Sequence, residues 1–298
     1  MVQLRSLDGF HKQAASLART AFPKMARGRA VQVANHELDL GWEGDDMRVA
    51  SGISRAESRN EVIYALDCGG GHVLVDIGGE AGLATKLEQL QGDGVELDKI
   101  VALFITHCHE DHTGAVAQFC RQRPVRVVTH RLAVEQLRHC PAYTPVDPSL
   151  VDYTIDDGDT IEVGDLVFQV HHLPGHTPDS VAWQLGDNLF VGDIMRCDGT
   201  IGWMDVHWGS CVGDYRHSLQ RLLRMNAANI YPGHGECGPF KKDAVEEAMH
   251  RLSVLAEADG GLLTTIGRPA PRRPPDMPAK IIRLSVSILG NRTESRGH

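Results

Sequence analysis

The order of apolar runs in the sequence predicts an α+β fold made of two mixed β/α halves. Residues 98–106 (DKIVALFIT) are almost continuously apolar, which is typical of a strand buried on both faces. Helical and strand patterns alternate after this run, up to residue 139. Residues 159–191 instead contain four short apolar runs separated by Gly-Asp turns, a pattern that indicates an antiparallel meander.

The expected elements follow from periodicity and from residues that start or end helices. In chain order they are short strands between 47 and 78, a helix at 81–91, the strand at 98–106, a helix at 113–122, a strand at 124–130, a helix at 131–139, the four strands of 159–191, a helix from Asp214, a strand at 229–233 and a helix at 243–258. Asp214 is a predicted N-cap, because an Asp side chain can accept a hydrogen bond from the first free amides of a helix.

Three regions are expected along the chain. Residues 1–46 form a polar N-terminal extension, residues 47–260 the folded domain, and residues 261–298 a Pro/Arg-rich C-terminal tail. Within the tail, RPAPRRPPDMP (268–278) can be neither helix nor central strand, since proline lacks the amide donor. The apolar run after it (281–290) is expected to dock as an edge strand or as a helix.

Composition and charge exclude several classes of protein. The 298 residues are 42% hydrophobic and 23% charged, which is typical of a globular protein. The formal net charge of -9 disfavours a nucleic-acid partner, because binding to phosphates depends on basic residues. The seven Cys form no C-x-x-C pair, and neither a signal peptide nor a membrane span is visible. We therefore expect a cytoplasmic protein with reduced thiols and no membrane partner.

The most informative motif is T-H-C-H-E-D-H-T-G, which begins where the apolar strand at 98–106 ends. His107 and His109 point the same way by strand alternation, and Asp111 and His112 lie at the start of the next helix. Such a pattern arises by chance in a chain of this composition with a probability of roughly 0.4%, so coincidence is a poor explanation. Imidazole and carboxylate donors at this spacing predict a metal site. Alternation turns Cys108 away from it, as a buried, inert thiol.

Three further candidates each lie next to a glycine at the end of a strand. His176 lies in PGHT, Asp193 ends the strand LFVGD, and His234 lies in PGHG. Glycine lets the backbone approach a shared site closely, so these residues are expected to join the same metal site.

Taken in order, these motifs resemble the metallo-β-lactamase superfamily. The resemblance rests on V-D-I-G-G at 75–79, the H-x-H-x-D-H motif, P-G-H-T, G-D and P-G-H-G, and it covers roughly residues 47 to 238. It implies a four-layer αβ/βα sandwich, with two mixed sheets face to face, helices outside and metals at one edge.

The resemblance also implies the ligands and the reaction. One metal takes His107, His109 and His176, the second takes Asp111, His112 and His234, and Asp193 bridges both. Two divalent ions would hold a bridging hydroxide that attacks a small acyl substrate such as a thioester, lactone, ester or amide. Zn²⁺ is the preferred ion, and Fe or Mn are the alternatives. Asp111 is the expected proton carrier for the leaving group.

Other residues are expected to support the metals or the substrate. Asp76 and Thr177 are candidates to orient a ligand imidazole through its second ring nitrogen. The candidates for substrate contact are Arg196, Trp203, His207, Trp208 and Tyr231. The alternative for the two Trp is that they pack the loop or form a contact between copies in a homodimer. The alternative for Tyr231, which we prefer, is packing in the core of its strand.

Two other reactions fit the same motifs. A mononuclear iron dioxygenase acting on persulfides would use only His107, His109 and His176. A β-lactamase is disfavoured because the true β-lactamases of the family lack a bridging carboxylate at the position of Asp193.

Overall fold

The computed structural model describes residues 48–134, 147–204, 206, 209–258 and 269–286. These residues belong to one of the two units of the chain, Asp45–His298. The predicted N-terminal extension and the end of the predicted helix at 131–139 lie outside the described residues, and the boundaries at 47 and 260 stay a prediction.

The strands and helices follow the expected order. The strands of the described part are β1 Arg48–Ala50, β2 Ile53–Ser58, β3 Glu61–Asp67, β4 His72–Val75, β5 Ile100–Phe104, β6 Arg126–His130, β7 Tyr153–Ile155, β8 Thr160–Val163, β9 Leu166–His172, β10 Val181–Leu185, β11 Asn188–Gly192, β12 Asn229–Pro232, β13 Gly238–Pro239 and β14 Ile281–Leu284. The helices are α1 Glu80–Gly92, α2 Glu110–Thr113, α3 Val116–Gln122, α4 Val212–Arg224 and α5 Lys242–Ala258. None of the described helices has the length and apolar character that crossing a bilayer requires.

Two mixed sheets contain these strands. The first has the order β1 to β7 and changes from antiparallel to parallel pairing at β4. The second has the order β13-β12-β11-β10-β9-β8-β14, and its strands β8 to β11 form the predicted antiparallel meander. The meander prediction is therefore confirmed.

Three apolar clusters join the layers of sheets and helices to one another. Between the sheets, Phe104 of the first sheet stacks on Trp183 of the second with ring centroids 4.5 Å apart. A second cluster joins the outer face of the first sheet to α1 and α3, and a third joins the outer face of the second sheet to α4 and α5. This is the four-layer αβ/βα arrangement that the resemblance implied.

The predicted N-cap at Asp214 is wrong. Helix α4 begins at Val212, and its N-cap is Cys211, whose sulfur accepts a hydrogen bond from the amide of Asp214. The Asp214 carboxylate instead accepts hydrogen bonds from the amide of Ala270 and from the Arg272 guanidinium. The Asp214 carboxylate is thus paired with the C-terminal segment and does not cap the helix.

The described part of the C-terminal segment contains a strand, β14, in the run that is expected to be an edge strand or a helix. β14 pairs in parallel with β8 and forms an edge of the second sheet. Asp159 fixes the approach to this strand, since one of its carboxylate oxygens accepts from the amide of Lys280 and from Arg273, both at 2.7 Å.

A buried polar cluster lies at the ends of β6 and β9. The rings of His130 and His172 stack with centroids 4.1 Å apart. One oxygen of Asp156 lies 3.4 Å from Nε2 of His130, and the other accepts a 2.6 Å hydrogen bond from Arg131. Burial raises the pKa of Asp156, but the hydrogen bonds from His130 and Arg131 outweigh it and hold the pKa well below its ordinary value.

We expect Asp156→Asn to lower the free energy of unfolding at pH 7 by about 2–3 kcal/mol, because Arg131 loses its buried counter-charge. The pKa of Asp156 is lower in the folded chain than in the unfolded chain. Its contribution is therefore present above pH about 4 and is lost as the pH falls through the lowered value. Urea unfolding at pH 7 and at pH about 3 measures both.

The matched control is Asp98→Asn, whose side chain is 98% exposed and lies 3.9 Å from Arg123. Such an exposed pair contributes little, so this variant should stay within about 0.5 kcal/mol of the wild type. An Asp156→Asn loss that does not shrink at acid pH would contradict the assignment.

Candidate metal centre

The end of strand β5 delivers the first ligand candidates. β5 is buried along its whole length, and a short segment with bends at Thr106 and Cys108 leads from its end to His109, the N-cap of α2. Asp76 fixes this exit, because its two carboxylate oxygens accept hydrogen bonds from the amide and the hydroxyl of Thr106 at 2.8 and 2.7 Å. Between the two histidines, Cys108 packs into the apolar cluster beneath the loop, as strand alternation predicts.

Three imidazoles converge into the first donor group. Nε2 of His176 lies 3.1 Å from Nε2 of His107 and 2.9 Å from Nδ1 of His109. The three rings stand at 77° to 89° to one another. Nitrogens bound to one tetrahedral zinc ion at 2.0–2.1 Å are about 3.3 Å apart, so these separations suit a shared cation.

Two carboxylates and two imidazoles form the second donor group. Nε2 of His234 lies 3.2 Å from an oxygen of Asp111 and 3.0 Å from Oδ2 of Asp193. Nε2 of His112 lies 3.3 Å from Oδ1 of Asp193. Oδ2 of Asp193 is also 3.7 Å from Nε2 of His176 in the first group. The carboxylate of Asp193 therefore lies close to donor atoms of both groups.

The hydrogen bonds around His112 show that this group fits a cation. Asp76 faces Nδ1 of His112 at 2.8 Å, and since a carboxylate accepts, Nδ1 donates and Nε2 is left to face Oδ1 of Asp193. Both of these atoms are buried, and among the described residues neither has a hydrogen-bond partner. Burial lowers the pKa of His112, but the carboxylates of Asp193 and Asp76 outweigh it and raise that pKa well above its ordinary value, so this pair binds a proton or a metal cation between its two atoms.

Backbone carbonyls orient two more ligand candidates in the same way. Nδ1 of His176 donates to the carbonyl of Trp203, and Nδ1 of His234 donates to the carbonyl of Asn60. In both rings the other nitrogen, Nε2, is left to face the donor groups.

Burial and neighbouring charges set the protonation of these ligands. Burial, together with the imidazoles of His112 and His176, lowers the pKa of His107 well below its ordinary value. Burial lowers the pKa of His176 to about 4. Burial raises the pKa of Asp193, but the imidazole of His112 outweighs it and holds the pKa well below the usual range. At neutral pH these three side chains are thus in the forms that bind metals. Burial lowers the pKa of His234, but its hydrogen bonds with Asp111 and Asp193 outweigh it and raise the pKa to about 10, so this ring must lose a proton when a metal binds.

Glycine allows the close approach that the sequence predicts. A Cβ on Gly233 would lie 2.3 Å from Cε1 of His112 and 2.7 Å from Oδ1 of Asp193. A Cβ on Gly202 would lie 2.8 Å from Nδ1 of His176. No other residue fits at these two positions without moving a ligand.

The predicted residues around the metals have different outcomes. Asp76 contacts a ligand imidazole, whereas the hydroxyl of Thr177 lies 2.7 Å from that of Ser180 and stabilises the turn after His176. The structure therefore does not support the predicted role of Thr177. The carbonyls of Trp203 and Asn60 were missed, because a backbone acceptor has no signature in a sequence.

The substrate candidates also divide. Trp203 is 62% exposed and its backbone carbonyl contacts His176, and Arg196 lies beside Gly235 in the loop of His234. His207 and Trp208 lie outside the described residues.

Tyr231 packs in the core, as we preferred, and its alternative role as a substrate contact is wrong. Its ring is buried against Phe190, and its hydroxyl donates to Asn188, at the end of β11 opposite to Asp193. The Tyr231 side chain packs between the two sheets and therefore does not border the metal centre.

His130, Asp156 and His172 also bring three donor atoms close together. However, Arg131 already neutralises Asp156, and the two rings are only 20° from parallel, so their lone pairs do not converge on one point. We interpret this cluster as structural.

Comparison with known proteins agrees with this geometry. The family model described as the metallo-beta-lactamase superfamily matches residues 59–234, more than half of the chain. The chain belongs to the metallo-beta-lactamase superfamily. The predicted family and fold, and the classification as an enzyme of this superfamily, are thereby confirmed.

Curated relatives of the superfamily have different names. The chain is 32% identical over 180 residues to a hydroxyacylglutathione hydrolase of Shewanella loihica, covering 58% of this chain and 60% of the relative. It is 27% identical over 195 residues to a beta-lactamase-like protein 2 homolog of Caenorhabditis elegans, covering 63% and 61%. It is 28% identical over 193 residues to an atrochrysone carboxyl ACP thioesterase of Aspergillus fumigatus, covering 63% and 55%. The chain thus spans about three fifths of the length of these relatives.

Solved structures share the fold. The native FEZ-1 metallo-beta-lactamase of Legionella gormanii matches with a TM-score of 0.59 at 19% identity, over 72% of this chain and 97% of that one. BJP-1, a subclass B3 metallo-beta-lactamase of Bradyrhizobium japonicum, matches with a TM-score of 0.58 at 20% identity, over 71% and 93%. At this identity the likeness concerns the fold alone.

We expect Asp193→Ala to reduce the bound metal to less than one ion per chain, because it removes the carboxylate that both groups contact. His109→Ala should remove metal from the three-histidine group. The fold should persist in both variants, since the apolar clusters do not involve these side chains. Elemental analysis after dialysis against zinc measures the metal, and circular dichroism measures the fold. His217→Ala, an exposed histidine on α4, is the control and should keep the wild-type metal content.

Proposed function

We propose that this chain is a dinuclear metal-dependent hydrolase that cleaves a small acyl compound: a thioester, lactone, ester or amide. The observation that supports it best is the pair of adjacent donor groups that share Asp193. Its carboxylate contacts His112 and His234 of one group and His176 of the other. A single carboxylate between two clusters of imidazoles suits two cations held side by side.

The chemistry of two divalent ions bound there would be Lewis-acid polarisation of an acyl carbonyl and activation of water near neutral pH. His107, His109 and His176 would hold one ion, Asp111, His112 and His234 the other, and Asp193 both. The donors are those that zinc prefers, although the same His and Asp set also suits iron and manganese. The protein then needs no Ser or Cys nucleophile.

Asp111 is the best candidate for proton transfer. Its side chain is 41% exposed, whereas those of His112 and Asp193 are buried or nearly so, and it therefore borders the open side of the site. Burial raises its pKa, but the hydrogen bond with His234 and the charge of His112 outweigh it and hold the pKa well below the usual range. An ionised carboxylate can accept a proton from water and return it to a leaving group.

Among acyl compounds, thioesters have the most support. Two of the curated relatives bear the names of a hydroxyacylglutathione hydrolase and an acyl-carrier-protein thioesterase. Arg196 lies beside Gly235 in the loop of His234, and the exposed residue Trp203 contacts His176 through its carbonyl, so these two residues are our candidates for a cation and an apolar surface that meet a small substrate.

One preparation assayed against a panel of substrates tests the proposal. The panel contains a thioester, a homoserine lactone, p-nitrophenyl esters and a chromogenic cephalosporin, with elemental analysis of the same sample. We expect about two zinc ions per chain and turnover of at least one acyl substrate that a chelator abolishes and zinc restores. One iron per chain with oxygen consumption on a persulfide would instead identify a dioxygenase, and cephalosporin as the preferred substrate would identify a β-lactamase.

Asp111→Asn tests the proton carrier. We expect kcat to fall by about 10²- to 10⁴-fold, because an amide cannot carry the proton. The measurement is kcat on the best panel substrate with metal content determined on the same sample, so that loss of an ion is not mistaken for loss of the proton carrier. Glu110→Gln, at the exposed neighbouring position, should leave kcat within twofold. Full turnover by Asp111→Asn with both ions bound would exclude the role.

A further inference from the structure

We infer that the buried ion pair between Lys86 and Glu61 is a positioning device for the second donor group, acting through the loop Asp76–Gly79. The inference rests on the proposed dinuclear function. Neither Lys86 nor Glu61 is among the donor groups of the metal centre, and no local pattern joins them, since they are 25 residues apart.

Lys86 is on α1 and is completely buried, with 0% of its surface exposed. Lysine is almost never buried to this extent unless it is paired. Its ammonium donates to Oε2 of Glu61 at 2.6 Å, and the same oxygen accepts a 2.9 Å hydrogen bond from the amide of Gly79. One carboxylate oxygen therefore ties helix α1 to the end of the loop.

The loop passes directly over this ion pair. A Cβ on Gly78 would lie 1.8 Å from the Lys86 ammonium and 2.7 Å from Oε2 of Glu61. Gly78 also has a φ of +75°, which disfavours any residue with a side chain. The path of the backbone at Gly78 is thus shaped to the ammonium beneath it.

The same loop holds His112 at two places. The amides of Ile77 and Gly78 donate to the carbonyl of His112 at 3.1 and 3.2 Å. Asp76 has a φ of +59°, unusual for a residue with a side chain, and its carboxylate faces Nδ1 of His112 at 2.8 Å. Displacement of the loop would move both the backbone and the ring of His112.

The first donor group depends on the loop less directly. Its link runs from Asp76 to Thr106, whose hydroxyl lies 3.1 Å from Nδ1 of His107. Nδ1 of His176 is oriented by the carbonyl of Trp203, which lies outside the loop. Loss of the ion pair should therefore weaken the second group more than the first.

Stepwise titration of metal-free protein with Co²⁺ tests this, because each equivalent gives its own visible absorption. For Lys86→Met we expect the second Co²⁺ equivalent to bind about tenfold more weakly, which is in the range for residues that orient metal ligands. The affinity for the first equivalent should change by less than about threefold. Thermal unfolding of the metal-free protein separates this effect from stability. Lys99→Met, which removes an exposed pair with Glu96, is the matched control and should bind both equivalents normally.

Two further variants separate positioning from general stabilisation. Glu61→Gln keeps an acceptor for Gly79 and Lys86, so it should retain most of the second-site affinity even if it unfolds at a lower temperature. The double variant E61M/K86M replaces a buried ion pair with apolar side chains, an exchange that commonly preserves stability. It should fold and still bind the second equivalent weakly.

The outcomes separate the two proposals. If the wild type binds two equivalents and both Lys86→Met and the double variant bind the second equally well, the positioning role is wrong and the dinuclear site stands. If Lys86→Met does not fold, the double variant alone decides in the same way. If the saturated wild type binds only one equivalent, the dinuclear proposal fails and the inference fails with it.

Discussion

Crowding of metal-binding donor atoms is the constraint on which this structure depends. Imidazole nitrogens and carboxylate oxygens approach one another to 2.9–3.7 Å at the metal centre. Asp76 and two backbone carbonyls accept from Nδ1 of His112, His176 and His234, so Nε2 of each of these rings faces the crowded space. The donors come from the ends of strands in both sheets, so their spacing depends on how the sheets pack. The aromatic contact between Phe104 and Trp183, just inside this edge, fixes that packing. The apolar core thus supplies the rigidity that keeps the donor groups of the metal centre together.

Much of the fold could be predicted from sequence because its strands are short apolar runs with clear turns between them. The fully buried strand β5 and the antiparallel meander both follow from such patterns. The N-cap of α4 could not be predicted, because the partner of Asp214 lies more than fifty residues later, at Ala270. The sequence also does not decide whether the apolar run that begins at Ile281 is a strand or a helix, because a short apolar segment suits both until its neighbour in the fold is known.

The metal-binding candidates were accessible to sequence analysis because their spacing and their glycines are local features. The contacts of Tyr231 could not be predicted for the opposite reason. Nothing nearby in the sequence shows that its ring packs on Phe190 and that its hydroxyl donates to Asn188. The carbonyls of Asn60 and Trp203 are invisible in the same sense, as are Lys86 and Glu61. Side chains that bind directly can be predicted from motifs, whereas those that orient them depend on long-range contacts.

The C-terminal strand has a consequence for how the protein is made. β14 pairs with β8 although the two are about 120 residues apart in the chain, and Asp159 receives its partners Arg273 and Lys280 from the same late segment. During synthesis the outer edge of β8 is therefore unpaired until residues near Leu284 have left the ribosome. The meander and the ligand loops have been synthesised by then. Until β14 pairs, the unpaired edge of β8 can also pair with another chain, and this pairing competes with β14.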